Sequence, residues 1–160
     1  MDKPFAHNRI EYLVNLTQPK KTDKILNVGI SNIPEIEIIL EKKVKECVTV
    51  DIDDKKLKYA SKYLKNTKLI KEDITKKTSL KDNYFDTIII SEVLEHIDDD
   101  KYVVKSLCKL LKKGGKIIVA VPNKAFLHII NPVKYAEHKR HYANEDIQKL
   151  LESNGFKVNH

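Results

Sequence analysis

A chain of 160 residues has the length of one domain, and its 41% hydrophobic and 33% charged residues exclude a disordered or a membrane-embedded protein. Two cysteines exclude a disulfide framework and a four-cysteine zinc site. No apolar run is long enough to span a bilayer and no signal-peptide pattern is present, so we expect a cytoplasmic protein.

The net charge of +7 raises the question of a nucleic-acid partner. Of the 30 basic side chains only Arg9 and Arg140 are arginines, and base-edge readout and planar phosphate recognition favour arginine. Lysines and acids are interspersed in segments such as KKTDK and EKKVKE. We interpret the lysines mainly as solvated faces, with a phosphate-bearing partner as the alternative.

Hydrophobic periodicity predicts alternating helices and strands in a single domain, 1–160, after a helical lead-in over residues 1–23. The predicted strands cover residues 24–28, 47–51, 68–71, 84–91, 116–121 and 156–158. After the lead-in, one predicted helix begins at Pro34. Three more run from Asp53 or Asp54 to about Lys65, from Asp98 to Leu111 and from Asn144 to Ser153. Gly114 and Gly115 follow Leu111, where we expect them to end that helix.

This alternation predicts an α/β fold, a Rossmann-like doubly wound and mostly parallel sheet with helices on both faces. In such a sheet the ligand crevice lies at the carboxyl ends of the strands. The loop over residues 122–143 is long for a compact domain, so we expect it to face a substrate.

Three residues at predicted strand ends suit a nucleoside. Gly29 follows the first strand, so its backbone can approach a ligand. Asp51 ends the second strand 22 residues later, where a carboxylate can accept both hydroxyls of a ribose. Asp73 follows the third strand, where a carboxylate can accept from an exocyclic amine such as that of adenine. Each residue taken alone is equally typical of a turn or a helix cap.

A second group of polar residues follows the fourth strand. Glu92, Glu95 and His96 have the spacing that places three side chains on one face of a helix. With His138 from the long loop they could bind Mg²⁺, which would hold two oxygens of a substrate and lower the pKa of the attacking hydroxyl. The alternative without a metal is that Glu95 and His96 order loops, or that His96 acts as a general base.

The strand-end segments together resemble class I S-adenosylmethionine-dependent methyltransferases, from about Ile25 to the C-terminus. The segments that carry the resemblance are ILNVGISN, VTVDIDDKKLKYA, IKEDI, YFDTIIISEVLEHIDD, LCKLLKKGGKIIVAVPN and EHKRHYANEDIQKLLESNGF. They are similar to the small-molecule group that includes quinone-biosynthesis O-methyltransferases. In some of those enzymes, and in small-RNA 2′-O-methyltransferases, a Glu-x-x-Glu-His motif and a distant histidine bind a metal.

The resemblance implies a seven-stranded sheet and S-adenosylmethionine as the methyl donor. The cofactor residues that it implies are Asn27, Gly29, Ile30 and Ser31 beside the methionine moiety, Asp51 and Ile52 at the ribose, Asp73 and Ile74 at the adenine, and Ser91 below the substrate.

This chain departs from the family pattern in two places. Of the three glycines in the family's first motif only Gly29 is present, and Ser31 and Ile33 stand at the other two positions. A nicotinamide-binding G-x-G-x-x-G fingerprint is also absent, which argues against a dehydrogenase. The usual last antiparallel strand is missing, so we expect a longer protein, or a second copy or partner that pairs with the open edge.

The sequence therefore predicts methyl transfer from S-adenosylmethionine to a small-molecule acceptor, preferably to an oxygen. Two alternatives stay open. A non-catalytic domain of the same fold would serve as a binding or regulatory unit, which the reduced glycine motif favours. An RNA methyltransferase is supported by the positive charge and the Glu/His group, and opposed by the scarcity of arginine.

Overall fold

The computed structural model describes residues 4–123 and 138–159. Most of the predicted substrate-facing loop, 122–143, lies outside these residues. None of the helices in the described ranges combines the length and the apolar character that crossing a membrane requires.

Strands and helices alternate through the described part of the chain. The strands are Lys24–Val28 (β1), Glu46–Asp51 (β2), Thr67–Lys71 (β3), Phe85–Ser91 (β4) and Leu111–Ala120 (β5). The helices are Pro4–Thr17 (α1), Glu35–Leu40 (α2), Asp54–Ala60 (α3), Asp100–Leu110 (α4) and Asn144–Glu152 (α5), with a 3₁₀ turn at Leu94–His96.

The five strands form one sheet in the order β3-β2-β1-β4-β5, and every neighbouring pair is parallel. The predicted α/β class, a doubly wound Rossmann-like sheet with helices on both faces, is confirmed. The strand order reverses between β1 and β4, and a reversal of this kind opens a crevice at the carboxyl ends of the two strands.

Side chains of β1 alternate between the two faces of the sheet, as the two-residue period of a strand requires. Leu26 and Val28 pack into the core cluster that contains α4 and α5. Ile25 packs on the opposite face against α1 and α2. Burying both faces explains why β1, β2 and β4 are nearly continuous runs of apolar residues.

The helix predicted to run to Leu111 ends within one residue of that position, but the role predicted for the two glycines after it is wrong. Helix α4 ends at Leu110, and Gly114 and Gly115 lie inside β5 instead of closing the helix. Phe85 pairs with Leu111 whereas Thr87 pairs with Lys116, so β5 carries extra residues that leave the ladder. Gly114 has a φ of +78° in this irregular stretch, a conformation that glycine adopts without strain.

The third predicted helix and the last predicted strand also differ from the structure. Helix α3 ends at Ala60 because the chain turns toward β3, and the carboxylate of Glu41 accepts the Asn66 N–H at 2.9 Å in that turn. Residues 156–158 form no strand. Phe156 and Val158 instead pack on the core beside α5 without joining the sheet.

The fold makes a direct prediction about its core. Leu107 of α4 is completely buried, so Leu107→Ala leaves a cavity and should lower the free energy of unfolding by about 2–5 kcal/mol. Leu16→Ala is the matched control, because Leu16 is 42% exposed on α1 and its loss should cost less than about 1 kcal/mol. Urea unfolding followed by circular dichroism measures both, and equal losses would contradict the packing described.

Candidate active site at the carboxyl edge of the sheet

The loop between β1 and α2 begins at a glycine that no other residue replaces without strain. Gly29 has a φ of +84°, and a Cβ added there would lie 2.5 Å from Cγ2 of Val93. Its N–H donates to the carbonyl oxygen of Val50 at 2.9 Å, which extends the pairing of β1 with β2. The chain therefore bends sharply just where β1 reaches the crevice.

The carboxylate of Asp51 holds this loop in place. Its Oδ2 accepts the Ile30 N–H at 2.7 Å, and its Oδ1 accepts the Asp53 N–H at 2.7 Å. A carboxylate oxygen has two lone-pair sites, so each oxygen retains one for a further donor. Asp51 consequently orders the loops after β1 and β2 and still has the capacity to accept two hydroxyl groups.

A buried polar group supports the loop from beneath. Nδ2 of Asn27 donates to the carbonyl oxygen of Gly29 at 3.0 Å and to Oε1 of Glu37 at 2.6 Å. Thr49 donates to the same Glu37 oxygen at 3.1 Å. Burial raises the pKa of the Glu37 carboxyl, and these hydrogen bonds oppose that rise. Asn27 thus acts on the crevice through the backbone of Gly29.

The other residues of the first motif differ in exposure. Ile30 is buried, so its side chain belongs to the core and only its amide reaches Asp51. Ser31 is exposed, and its hydroxyl donates to the carbonyl oxygen of Ile33. Ile33 and Ile52 are 60% and 64% exposed, which makes them apolar surface flanking the loops that Asp51 joins.

Asp73 orders the turn that follows β3. One of its oxygens accepts both the N–H and the hydroxyl of Thr75, and the other lies 3.3 Å from Nζ of Lys76. The Thr75 hydroxyl and then its amide hold the pKa of Asp73 below its usual range. Ile74 is buried beside it in the core.

Arg9 of helix α1 reaches the carboxyl end of β4, a contact that the sequence did not reveal. Its guanidinium donates to Oγ of Ser91 at 3.0 Å and lies 2.8 Å from a carboxylate oxygen of Glu92. Glu92 has a φ of +56°, so the backbone turns sharply as it leaves β4. The chain has only two arginines, so each could have been singled out from the sequence as a candidate for a specific contact, although its partners could not.

Glu95, His96 and His138 form a cluster beside this turn. One ligand atom from each residue lies within 4.8 Å of the others. The rings of His96 and His138 meet edge to face with their centroids 4.8 Å apart. The 3₁₀ turn Leu94–His96 supplies two members, and His138 comes from the segment that precedes α5.

Glu92 does not join this cluster. The predicted grouping of Glu92 with Glu95 and His96 required a helix, whereas the helical turn begins only at Leu94. The positive φ of Glu92 directs its carboxylate instead toward Arg9. Three of the four predicted metal ligands therefore lie together, and the fourth forms an ion pair.

Glu95 is the most unusual group of the site. Its side chain is 1% exposed, and neither carboxylate oxygen has a hydrogen-bond partner among the described residues. Burial raises the pKa of the Glu95 carboxyl, and the negative charge of Glu92 adds to that rise, while His96 and Arg9 oppose it. Burying an ionised carboxyl without a hydrogen-bond partner costs free energy of folding. Binding a proton, a cation or a donor group of a substrate would remove this cost.

The segment that carries His138 is anchored to the same turn. The carbonyl oxygen of Glu95 accepts the N–H groups of Lys139 at 2.8 Å and Arg140 at 3.3 Å. Asp100 then binds both the Arg140 guanidinium at 2.5 Å and the Tyr142 hydroxyl at 2.7 Å. These bonds keep His138 beside Glu95 although the two are far apart in the sequence.

Comparison with known proteins agrees with the fold and the motifs. A parallel sheet with a glycine turn after β1 and an acid at the end of β2 resembles the arrangement of nucleotide-binding α/β domains. A family model described as a methyltransferase domain matches residues 26–119, which is more than half of the chain. The chain belongs to this methyltransferase family, and the resemblance to class I S-adenosylmethionine-dependent methyltransferases is confirmed.

Two curated relatives are ubiquinone biosynthesis O-methyltransferases. The mitochondrial one from Dictyostelium discoideum is 32% identical over 88 residues, which cover 55% of this chain and 25% of that protein. The one from Idiomarina loihiensis is 29% identical over 134 residues, which cover 81% of this chain and 55% of that protein. The matches thus span only about a quarter to a half of those relatives.

A solved structure shows the same fold. The N-methyltransferase NodS from Bradyrhizobium japonicum, in complex with S-adenosyl-L-homocysteine, superposes with a TM-score of 0.75 at 19% identity. The superposition covers 95% of this chain and 76% of that one. At this identity the likeness extends to the fold alone.

The burial of Glu95 predicts a change in stability with pH. The folded state binds the Glu95 proton more tightly than the unfolded chain, whose carboxyl has the ordinary value of 4.5. Stability should therefore fall as pH rises from about 4.5 through the raised folded-state pKa. Glu95→Gln removes this fall and should melt at a higher temperature than the original chain at neutral pH.

Thermal unfolding between about pH 4 and pH 8 measures this effect. Glu145→Gln, at an exposed position of α5, is the matched control and should leave the profile unchanged. A Glu95→Gln profile that runs parallel to that of the original chain would show that Glu95 carries no raised pKa.

Proposed function

We propose that this protein transfers a methyl group from S-adenosylmethionine to an oxygen of a small molecule. The observation that carries the proposal is the position of two groups at one sheet edge. The loop held by Asp51 lies after β1 and β2, and the cluster of Glu95, His96 and His138 follows the neighbouring strand β4. When bound, the cofactor supplies a methyl group already activated on a positively charged sulfonium.

The residues of the cofactor side fit S-adenosylmethionine. Asp51 has the spare acceptor capacity to bind both ribose hydroxyls, and the exposed Ile52 offers apolar surface to a base. Asp73 would accept the adenine amine. The Arg9 guanidinium lies at the end of β4 and is the cation we assign to the methionine carboxylate. The turn at Gly29 leaves the backbone close to the ligand without an intervening side chain.

The residues of the acceptor side can take up a proton. Methyl transfer needs in-line alignment and, for a hydroxyl acceptor, removal of its proton. A neutral imidazole has one ring nitrogen with a free lone pair, so a ring nitrogen of His96 or His138 is suited to accept this proton. Glu95 beside these rings would stabilise the imidazolium that forms.

The same three residues fit a divalent cation. Both buried oxygens of Glu95 lack a hydrogen-bond partner among the described residues, and the candidate ligand atoms lie within 4.8 Å of one another. Glu95, His96 and His138 would hold the ion, which would supply Lewis-acid polarisation of the acceptor oxygen. Mg²⁺ prefers oxygen ligands, so one carboxylate and two imidazoles favour a transition metal over Mg²⁺, the divalent cation named as an example from the sequence.

The proposal predicts turnover with a vicinal aromatic diol. We expect production of S-adenosylhomocysteine and a methyl ether from S-adenosylmethionine and catechol, measured by mass spectrometry. His96→Gln should lower the turnover rate by about 100-fold, because the general base or a metal ligand is lost. A chelator distinguishes the two roles, since only metal-dependent turnover falls with it.

Two outcomes would contradict this proposal. Methylation of RNA without methylation of any small hydroxylated acceptor would favour the RNA methyltransferase. Cofactor binding without turnover on either class of acceptor would favour a non-catalytic domain with the reduced glycine motif.

A conservative change at Asp51 tests the cofactor side. Asp51→Asn keeps one oxygen for the loop and so preserves the fold better than alanine would, but it loses the charge and the capacity to accept both hydroxyls. Calorimetric titration with S-adenosylhomocysteine should show affinity lower by about 10-fold or more. The exposed Asp82→Asn is the control. Equal affinities in both variants would refute the ribose assignment.

A further inference from the structure

The positive charge of this protein is concentrated in one segment. Residues 55–71 contain seven lysines and no acidic residue. The remainder of the chain consequently has 23 basic and 23 acidic side chains, and its formal charges cancel. With Asp54, the first residue of α3, the stretch that comprises α3, the following turn and β3 has seven lysines and one acidic residue.

The outward face of α3 and the following turn carries most of this charge. Leu57, Ala60 and Leu64 point inward and form a core cluster with Ile30. The lysines and tyrosines that lie between these residues or directly beside them are all exposed, and we call them the α3 patch. The α3 patch consists of Lys55, Lys56, Lys58, Tyr59, Lys62, Tyr63 and Lys65.

Most of these lysines have no acidic partner. Lys58 pairs with Asp54 at 2.7 Å. Among the residues that the structure describes, no ion pair engages the other four lysines of the patch. The carboxylate of Glu41, which follows the end of α2, accepts the backbone N–H groups of Lys65 and Asn66 and forms no ion pair with a lysine of the patch among the described residues. The patch therefore presents unneutralised charge to a ligand.

Two aromatic rings lie among the lysines. Tyr59 and Tyr63 are 45% and 51% exposed, their ring centroids are 5.3 Å apart, and their hydroxyl oxygens are 2.9 Å apart. Nζ of Lys62 lies 5.6 Å from the centre of the Tyr59 ring. A core role does not explain these rings, because the inward positions of the segment are already filled by Leu57 and Leu64.

We infer that the α3 patch binds single-stranded nucleic acid without sequence preference. Lysines that track a phosphate backbone and exposed aromatic rings that stack on bases are the two components of such surfaces. The patch contains no arginine, so it lacks the side chain best suited to bidentate readout of base edges. This surface is separate from the cluster of Glu95, His96 and His138, and binding to it does not depend on the proposed methyl transfer.

The segment is poorly suited to the other polyanionic partner, a membrane surface. An interfacial helix needs an apolar face that enters the lipid. The apolar side chains of α3 are buried in the core, and the two tyrosine hydroxyls bind each other at the surface. The patch can thus attract negative charge but has little apolar surface to insert.

Fluorescence anisotropy of the full chain with labelled oligouridine of about 15 nucleotides tests this inference. The patch variant replaces Lys55, Lys56 and Lys62 with glutamine. The matched control replaces Lys101, Lys105 and Lys109, three exposed lysines of α4, and changes the net charge equally. A third variant, Tyr59→Ala with Tyr63→Ala, removes both rings. Thermal melts verify that all four proteins are folded.

We expect the patch variant to bind at least about 10-fold more weakly than the original chain, and the slope of log K against log salt to fall by about 2. The affinity of the tyrosine variant should be about 10-fold lower than that of the original chain. The slope of log K against log salt should not change, because stacking does not release counterions. The control should stay within about two-fold of the original chain.

Three results would overturn the inference. An equal loss of affinity for oligouridine in the patch variant and in the α4 control would show that net charge alone attracts RNA. An unchanged affinity in the tyrosine variant would remove the stacking role. Tighter binding to vesicles that contain phosphatidylserine than to oligouridine would assign the patch to a membrane.

Discussion

The carboxylate of Asp51 joins the loops that leave β1 and β2, and the crevice is built on these two hydrogen bonds. The loop at Gly29 is bent by a positive φ and supported from beneath by Asn27. Without Asp51 the amides of Ile30 and Asp53 would lose their acceptors, and the crevice would lose its shape. The same carboxylate orders both loops and retains free lone pairs, so one residue combines this structural role with the ribose-binding role that we propose for it.

Glu95, unlike Asp51, has a carboxylate that forms no hydrogen bond within the described residues. It is buried without a hydrogen-bond partner in the described part of the chain, so it costs stability in the ionised form. Its backbone carbonyl nevertheless anchors Lys139 and Arg140, which brings His138 to the 3₁₀ turn. A buried carboxyl without a hydrogen-bond partner beside two imidazoles is the kind of arrangement that supports the proposed acceptor site.

Much of the fold could be predicted from the sequence, because buried parallel strands form apolar runs that polar turns interrupt. The place of Gly114 and Gly115 inside β5 could not, since a glycine pair suits a helix end and a strand irregularity equally well. The contact of Arg9 with Ser91 joins residues 82 positions apart and leaves no local pattern. The clustering of Glu95 with His138 was predicted, whereas the exclusion of Glu92 depends on a backbone angle that its side-chain type does not reveal.

The central claim, a crevice shaped for S-adenosylmethionine, is tested most directly by thermal unfolding with increasing S-adenosylhomocysteine. A ligand that binds only the folded state stabilises it by about 2.7 kcal/mol at 100 times its dissociation constant, which raises Tm by several degrees. We predict a saturable rise of this size. An unchanged Tm at millimolar ligand would contradict the claim that Asp51 and the Gly29 loop form a cofactor site.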